Sequence, residues 1–172
     1  MTDSRLPSGY ETPQAASKYT KLLIGTTKLR ILSQPIIWRL DRKEELVDGK
    51  QKKKPLRFPM DKKPSVVYNP KWLKHFPCTI VWNYELWELE AREITQASIR
   101  NLLQALIADD DFKDIYSYDL KITREWEKLD TKYTILPWKV TDVDPAILSA
   151  YSDAQADLTK LFEWKHWYKE NE

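Results

Sequence analysis

A chain of 172 residues, 42% of them hydrophobic, is long enough to bury one core, and its 31% of charged residues nearly cancel to a net +2. Its single cysteine, Cys78, excludes an intrachain disulfide, and no apolar run reaches membrane length. The opening MTDSRLPSGYET lacks the charged and apolar regions of a secretory signal, so the expectation is a soluble intracellular protein with no membrane partner.

The near-neutral mean hides a gradient. Residues 1–138 hold 24 Lys or Arg against 19 Asp or Glu, whereas residues 139–172 hold 4 against 7, and a basic body with an acidic tail is common among proteins that handle nucleic acid. Eight Trp and nine Tyr exceed what a small core needs, which places some of these rings at a surface.

Residues 1–17, broken by Pro7, Gly9 and Pro13, have no periodicity and read as a flexible N-terminal arm. From Lys18 the chain becomes ordered. Leu29 and Ile31, then Ile36, Ile37, Trp38 and Leu40, suggest one long strand bent or broken at Gln34-Pro35, because proline cannot donate to a central ladder. From Arg42 to Lys63 nine Lys or Arg face four Asp or Glu, a net of nine minus four, or +5, and the expectation over residues 42–65 is a long basic loop. A short hairpin turning at Asp48-Gly49 is compatible with it. The same lysines also fit a solvated loop that only maintains solubility.

Phe58, Tyr68, Trp72 and Phe76 interleave with and follow this charge. Cations beside flat rings are what single-stranded nucleic acid requires, the cations for phosphates and the rings for bases, at roughly 1–3 kcal/mol per stacked base. Core packing is the competing assignment for each ring, and it is preferred for Phe76.

The stretch from Lys74 to Asp109 reads as a hairpin feeding a helix. Phe76, Cys78, Ile80, Trp82 and Tyr84 alternate, a turn over Asn83–Leu86 follows, and Trp87, Leu89 and Ala91 resume the alternation. After Thr95, the expected N-cap, Ile99, Leu102, Leu103, Leu106 and Ile107 line one helical face. Asp109, Asp110 and Asp111 lack the spacing and glycine of a calcium loop and read as a solvated turn. YSYDLKITREW supplies another strand, residues 125–131 a polar loop carrying Trp126, and KYTILPW a last strand.

The predicted order is strand, basic loop, strand, strand, helix, strand, strand. Five strands with a helix between the third and fourth match a mainly β, five-stranded Greek-key barrel of the oligonucleotide-binding (OB) class over residues 18–140. Strands two and three and loops 1-2 and 4-5 form the ligand face of that class, and they correspond here to the aromatic hairpin, the lysine-rich stretch and the Trp126 loop.

The segments SKYTKLLIGTTKLRILSQPI, KHF with VWNY, EITQASIRNLLQAL, YDLKITR and LDTKYTILP occur in this order at spacings that resemble the bacteriophage single-stranded DNA-binding replication proteins. The likeness covers roughly residues 18–138. It implies an OB fold and a protein that coats exposed strands during phage DNA replication, recombination and repair, in the cytoplasm of the infected bacterial host. Members of that family often end in a short acidic tail that recruits replication proteins. Residues 141–172 instead read as a C-terminal amphipathic helix starting at Asp144-Pro145, with Ile147, Tyr151, Ala154, Leu158, Leu161 and Phe162 on one side and Trp164 and Trp167 near its end. Residues 145–168 either dock on the chain's own barrel or serve replication proteins or self-association.

Catalytic constellations are scarce, so the expectation is a non-enzyme without cofactor. His75 and Cys78 are too few for structural zinc, which takes four ligands, and Gly9, Gly25 and Gly49 are too scattered for a phosphate loop. Glu88 and Glu90 share a strand face without a recognisable acid–base partner. The sequence points to a sequence-tolerant binder of single-stranded DNA, with RNA as an open alternative ligand. Phosphate contacts are assigned to Arg39, Lys50, Lys52, Lys53, Lys54, Arg57, Lys121 and Arg124. Stacking candidates are Phe58, Trp72, Trp82, Tyr84, Trp87 and Trp126, but Trp82 and Tyr84 share a face with Ile80 and fit the core, which leaves Trp72 and Trp126 as the preferred rings. The competing reading is a non-enzymatic protein-interaction adaptor or phage assembly factor with an OB-like barrel.

Overall fold

The computed structural model describes residues 22–62, 66–68, 70, 74–126, 131–163 and 165–169, with backbone alone at 54, 55 and 74. The expected N-terminal arm, residues 1–17, lies outside the described residues. The fold is mainly β, with seven strands among the described residues where five were expected: β1 (Gly25–Ile31), β2 (Ile36–Val47), β3 (Lys50–Pro59), β4 (Lys74–Asn83), β5 (Glu88–Glu93), β6 (Tyr118–Glu125) and β7 (Lys132–Val140). Helix α1 (Ala97–Ala108) follows β5, and α2 (Pro145–Asp153) with a 3-10 helix (Leu158–Glu163) follows β7. All pairings are antiparallel, in the order β3-β2-β4-β1-β6-β7, with β5 on the second edge of β4.

Both additional strands have local causes. The predicted first strand is divided at Pro35: β1 pairs with residues 81–83 of β4 and β2 with residues 74–78, so the two halves lie end to end along one edge. Ser33 joins them. Its Oγ accepts the Ile80 N–H at 2.9 Å in place of a carbonyl, and its own carbonyl accepts from Thr79 Oγ1 at 2.7 Å.

The basic stretch, expected to be a loop, is a hairpin in register from Trp38↔Pro59 to Val47↔Lys50. Asp48 and Gly49 carry φ of 53° and 72°, the left-handed pair that a two-residue turn needs to match strand twist. Hydrophobic alternation could not reveal these strands, because beyond Leu56 every cross-strand pair includes at least one polar residue. Glu44 faces Lys53 and Glu45 faces Lys52.

The sheet has a core on each face. On the inner face Leu29, Ile31, Val81, Leu120, Ile122 and Ile135 pack beneath Ile99 and Leu103 of α1. The helix starts one residue later than expected, capped by the Gln96 backbone rather than by Thr95, and Ile107 is left 48% exposed. On the outer face Trp38, Phe76, Cys78, Ile80, Trp82 and Leu89 form a second cluster.

The C-terminal segment covers that second cluster. The single amphipathic helix expected over residues 141–172 is instead the short α2, begun at Asp144, whose Oδ1 accepts from Ala146 N at 2.8 Å, and then the 3-10 helix. Ile147, Leu158, Leu161 and Trp167 are buried against the sheet, and Phe162 meets Trp38 edge-on at 5.8 Å. Trp167 O accepts from Asp157 N and Ala154 O from Lys169 N, which folds the segment back on itself. Trp164 lies outside the described residues. Within residues 145–168, Ile147, Leu158, Leu161 and Trp167 dock on the chain's own sheet, while Leu148 is left exposed.

Replacing Ser33 by Ala leaves the buried Ile80 N–H without an acceptor, a loss of roughly 1–3 kcal/mol. Urea denaturation of the Ser33→Ala variant should show that loss at unchanged m-value. A midpoint equal to the parent's would contradict the role given to Ser33.

Candidate nucleic-acid interface

Among the described residues the C-terminal segment covers the outer face over β2, β4 and β5, whereas Leu136 and Trp138 of β7 stay exposed on the other half. Register fixes what that half displays. Lys28 lies directly opposite Lys121, Thr26 opposite Thr123, and Lys121 opposite Leu136. Lys28 Nζ sits 4.3 Å from the centre of the Tyr84 ring, and Lys121 Nζ sits 3.1 Å from that of Trp138. The result is a row of ring, cation, cation, ring across the end of β4, β1, β6 and β7, about 15 Å long for three strand spacings. Trp87 extends it, edge-on to Trp82 at 5.4 Å and to Tyr84 at 6.3 Å.

One buried carboxylate anchors the row. Asp119 accepts from Arg30 Nε at 2.5 Å and from the Tyr84 hydroxyl at 3.0 Å, and pairs with Lys28 Nζ at 3.0 Å. Arg30, itself buried, also donates to the carbonyls of Tyr116 and Thr141. Burial alone would push Asp119 up, but the hydrogen bonds from Arg30, Lys28 and Tyr84, with the Arg30 charge, hold its carboxyl below the ordinary value of 3.8. Burial and the neighbouring Asp119 push the Tyr84 hydroxyl up to about 12, so it remains a donor at neutral pH.

Two exposed tryptophans have left-handed backbones, Trp87 at φ 56° and Trp126 at φ 64°. They are 62% and 69% exposed. Such a conformation costs a residue with a Cβ about 1–2 kcal/mol and is ordinarily occupied by glycine. Backbone preference does not account for a large ring at such a turn, and the edge-on contacts of Trp87 with Trp82 and Tyr84 leave most of its surface in water. Trp87 belongs to the turn Tyr84–Trp87 and not, as expected, to β5; Asn83 Oδ1 accepts the N–H groups of Glu85 and Leu86 and closes that turn.

The remaining sequence candidates divide. Trp82 is a correction: it is 6% exposed and part of the outer-face core, because Ile80, Trp82 and the covering segment share one side. Arg57 is held by Glu93 at 2.7 Å and lies 4.8 Å from the Trp38 ring centre, so it serves the packing of β3. Phe58 is half-buried, in register with Arg39, which is in turn in register with His75. Arg124 donates to the Leu22 carbonyl at 2.7 Å. Lys50, Lys52 and Lys53 are exposed on the β2–β3 hairpin, and Lys53 reaches Glu44 at 3.5 Å. Trp72 and the Lys54 side chain lie outside the described residues.

The hairpin and the row are not one site. Leu40, where the hairpin leaves the sheet, pairs with Lys74 at the start of β4, whereas Tyr84 follows its end. Those positions are ten residues, roughly 33 Å, apart along the strand.

Sequence reasoning missed Lys28, Asp119 and Trp138. The one signal for Trp138 was its alternation with Leu136; the partners of Lys28 depend on register between strands distant in sequence. Among the described residues no group of three or more His, Cys, Asp or Glu side chains converges as metal ligands. His75 and Cys78, three residues apart on β4, point to opposite faces, and burial pushes the Cys78 thiol up. Glu90 is buried, accepting from Asn83 Nδ2 at 3.1 Å and Arg92 Nη2 at 2.6 Å, while Glu88 is exposed. No helix among the described residues is long and apolar enough to cross a membrane. Comparison of the chain with protein-family models, curated proteins and solved structures finds no match.

Because Asp119 has a depressed folded-state pKa, its contribution to stability is complete above the unfolded value near 3.8 and is lost as pH falls through the folded value. Asp119→Asn strands Arg30 in the interior and should cost about 3–5 kcal/mol at pH 7. Denaturation at pH 7 and at pH below 3 should show the gap between parent and variant closing in acid. A gap independent of pH would remove the ion pair from the account.

Proposed function

We propose that this chain is a non-enzymatic, sequence-tolerant binder of single-stranded DNA, and that the row formed by Trp87, Tyr84, Lys28, Lys121 and Trp138 is its principal contact surface. The observation that carries the reading is a row in which two adjacent lysines are flanked by aromatic rings, on the half of the outer face that the described C-terminal segment does not cover. Rings accept any base because every base has a π-face, and lysines beside them neutralise the intervening phosphates. Duplex hides the faces of its bases and matches such a row poorly.

In the free protein each lysine of the row lies on a ring. A strand that stacks on Trp138 displaces Lys121 from the ring toward a phosphate, whereas Lys28 stays beside Asp119 and meets a phosphate from there. Lys50, Lys52 and Lys53 form a second basic element at the far end of β4. Facing Glu44 and Glu45, the last two contribute less charge than the composition suggests.

Strand connectivity supports an OB-like barrel. With β1 and β2 counted as one bent strand and β3 as an insertion, the order is bent strand, β4, β5, α1, β6, β7, and β6 returns to pair with β1. This is the helix-between-third-and-fourth arrangement of that class. The sequence resemblance extends the proposal to phage DNA replication, recombination and repair in the cytoplasm of the infected bacterial host.

Binding to oligo-dT should weaken steeply with salt, at a log-log slope near 0.7 per phosphate contact. Lys28→Gln with Lys121→Gln should lower that slope by about 1.4. Trp138→Ala should instead weaken binding by roughly 1–3 kcal/mol at unchanged slope. Absence of binding at low salt, or a preference for duplex, would refute the function. A parental slope in the double variant would move the site away from the row.

A further inference from the structure

A second surface lies on the other side of the sheet, where the β1–β2 bend and the start of β4 meet α1 and the turn after it. There a groove of about 450 Å³ has a floor of Ile31, Pro77, Thr79, Leu103 and Ile115. Its rims carry exposed apolar groups: Ile37 at 46%, Ile107 at 48% and Tyr116 at 39%. The volume falls within the range of ligand-binding clefts.

Besides the Tyr116 phenol, the ionisable groups among its described lining are cationic or capable of becoming so, namely His75, Arg100 and Lys113, and among the described residues no Asp or Glu lines it. Arg100 is held in place by Nη1, which donates to the carbonyls of Ile94 at 3.3 Å and Thr95 at 2.9 Å. Lys113 meets only the exposed Asp110, at 3.6 Å among its ion pairs, and an exposed contact of that kind is worth little. Two other acids near that turn are turned to local backbone: Asp109 Oδ1 accepts from Asp111 N and Asp114 Oδ1 from Tyr116 N.

We infer that this groove is a docking site for a short peptide segment of a partner protein in which acidic residues alternate with large apolar ones. The aliphatic floor takes the apolar side chains and the cationic rim takes the carboxylates. Among the described residues the lining offers no flat ring apart from Tyr116 and His75, so it has little to stack a base on, and an uncharged apolar ligand would leave the rim unused. The groove lies on the inner side of the sheet and the ring–cation row on the outer side, so a peptide and a strand can be held together. This inference does not depend on the strand-binding reading, and failure of one leaves the other standing.

The test titrates the full chain, labelled with nitrogen-15, with a short synthetic peptide alternating Asp with Leu and Phe. Two control peptides carry Lys in place of Asp, or Ser in place of Leu and Phe. Amide shifts should concentrate at Ile37, Ile107, Lys113 and Tyr116, the acidic apolar peptide should bind at least tenfold more tightly than either control, and saturation with oligo-dT should leave its affinity unchanged. Ile107→Asp with Lys113→Glu, both exposed and so replaceable without disturbing the core, should lower peptide affinity at least tenfold. Equal binding of a control peptide, shifts confined to other surfaces, or no binding would overturn the inference. So would a dimer that Ile107→Asp abolishes, because the occupant would then be a second copy of this chain.

Discussion

The ion pair between Arg30 and Asp119 stands at the boundary on which the rest of the structure depends. On one side of it the outer face of the sheet is apolar and sealed by the C-terminal segment; on the other it is polar and open. Two buried charges at such a boundary are tolerable only because each is fully engaged, Arg30 by Asp119 and the carbonyls of Tyr116 and Thr141, Asp119 by Arg30, Lys28 and Tyr84. Those last two residues belong to the open face. The interaction that permits the sheet to change character is thus also the one that fixes a ring and a cation at its surface.

A sheet with a core on both faces needs two covers. Helix α1 supplies one, but it cannot reach Trp38, Phe76 and Trp82 on the other side. The C-terminal segment supplies the second, and its Trp167 and Ile147 are buried nearly as deeply as Trp38 of β2. The aromatic hairpin that an OB-type ligand face would present is therefore sealed by the chain itself. Rings available to a ligand are displaced to its margins, to the turn holding Tyr84 and Trp87 and to Trp138 on β7.

Much of this was legible in the sequence where one local cause sufficed. Pro35 breaks the first strand, Asp48-Gly49 sets the hairpin turn, Asp144-Pro145 starts α2, and the change from alternation to helical spacing after Thr95 marks α1 to within two residues. What sequence alone did not reveal depends on pairing at a distance. Lys28 and Lys121 become neighbours only through a register 93 positions apart, and Trp82 becomes core only because residues near 160 fold over it. The β2–β3 strands were hidden for another reason: both their faces are wet for most of their length, so nothing in their hydrophobicity alternates. Arg57 shows the limit of reading charge as function, since a guanidinium set among basic neighbours packs on Trp38 and pairs with Glu93.

The central claim is that a single strand lies along the ring–cation row. Ultraviolet cross-linking of oligo-dT to the full chain, followed by mapping of the modified peptides, tests it most directly. The account predicts adducts on Tyr84, Trp87 and Trp138. Adducts confined to the β2–β3 hairpin around Phe58, with those three rings unmodified, would contradict it.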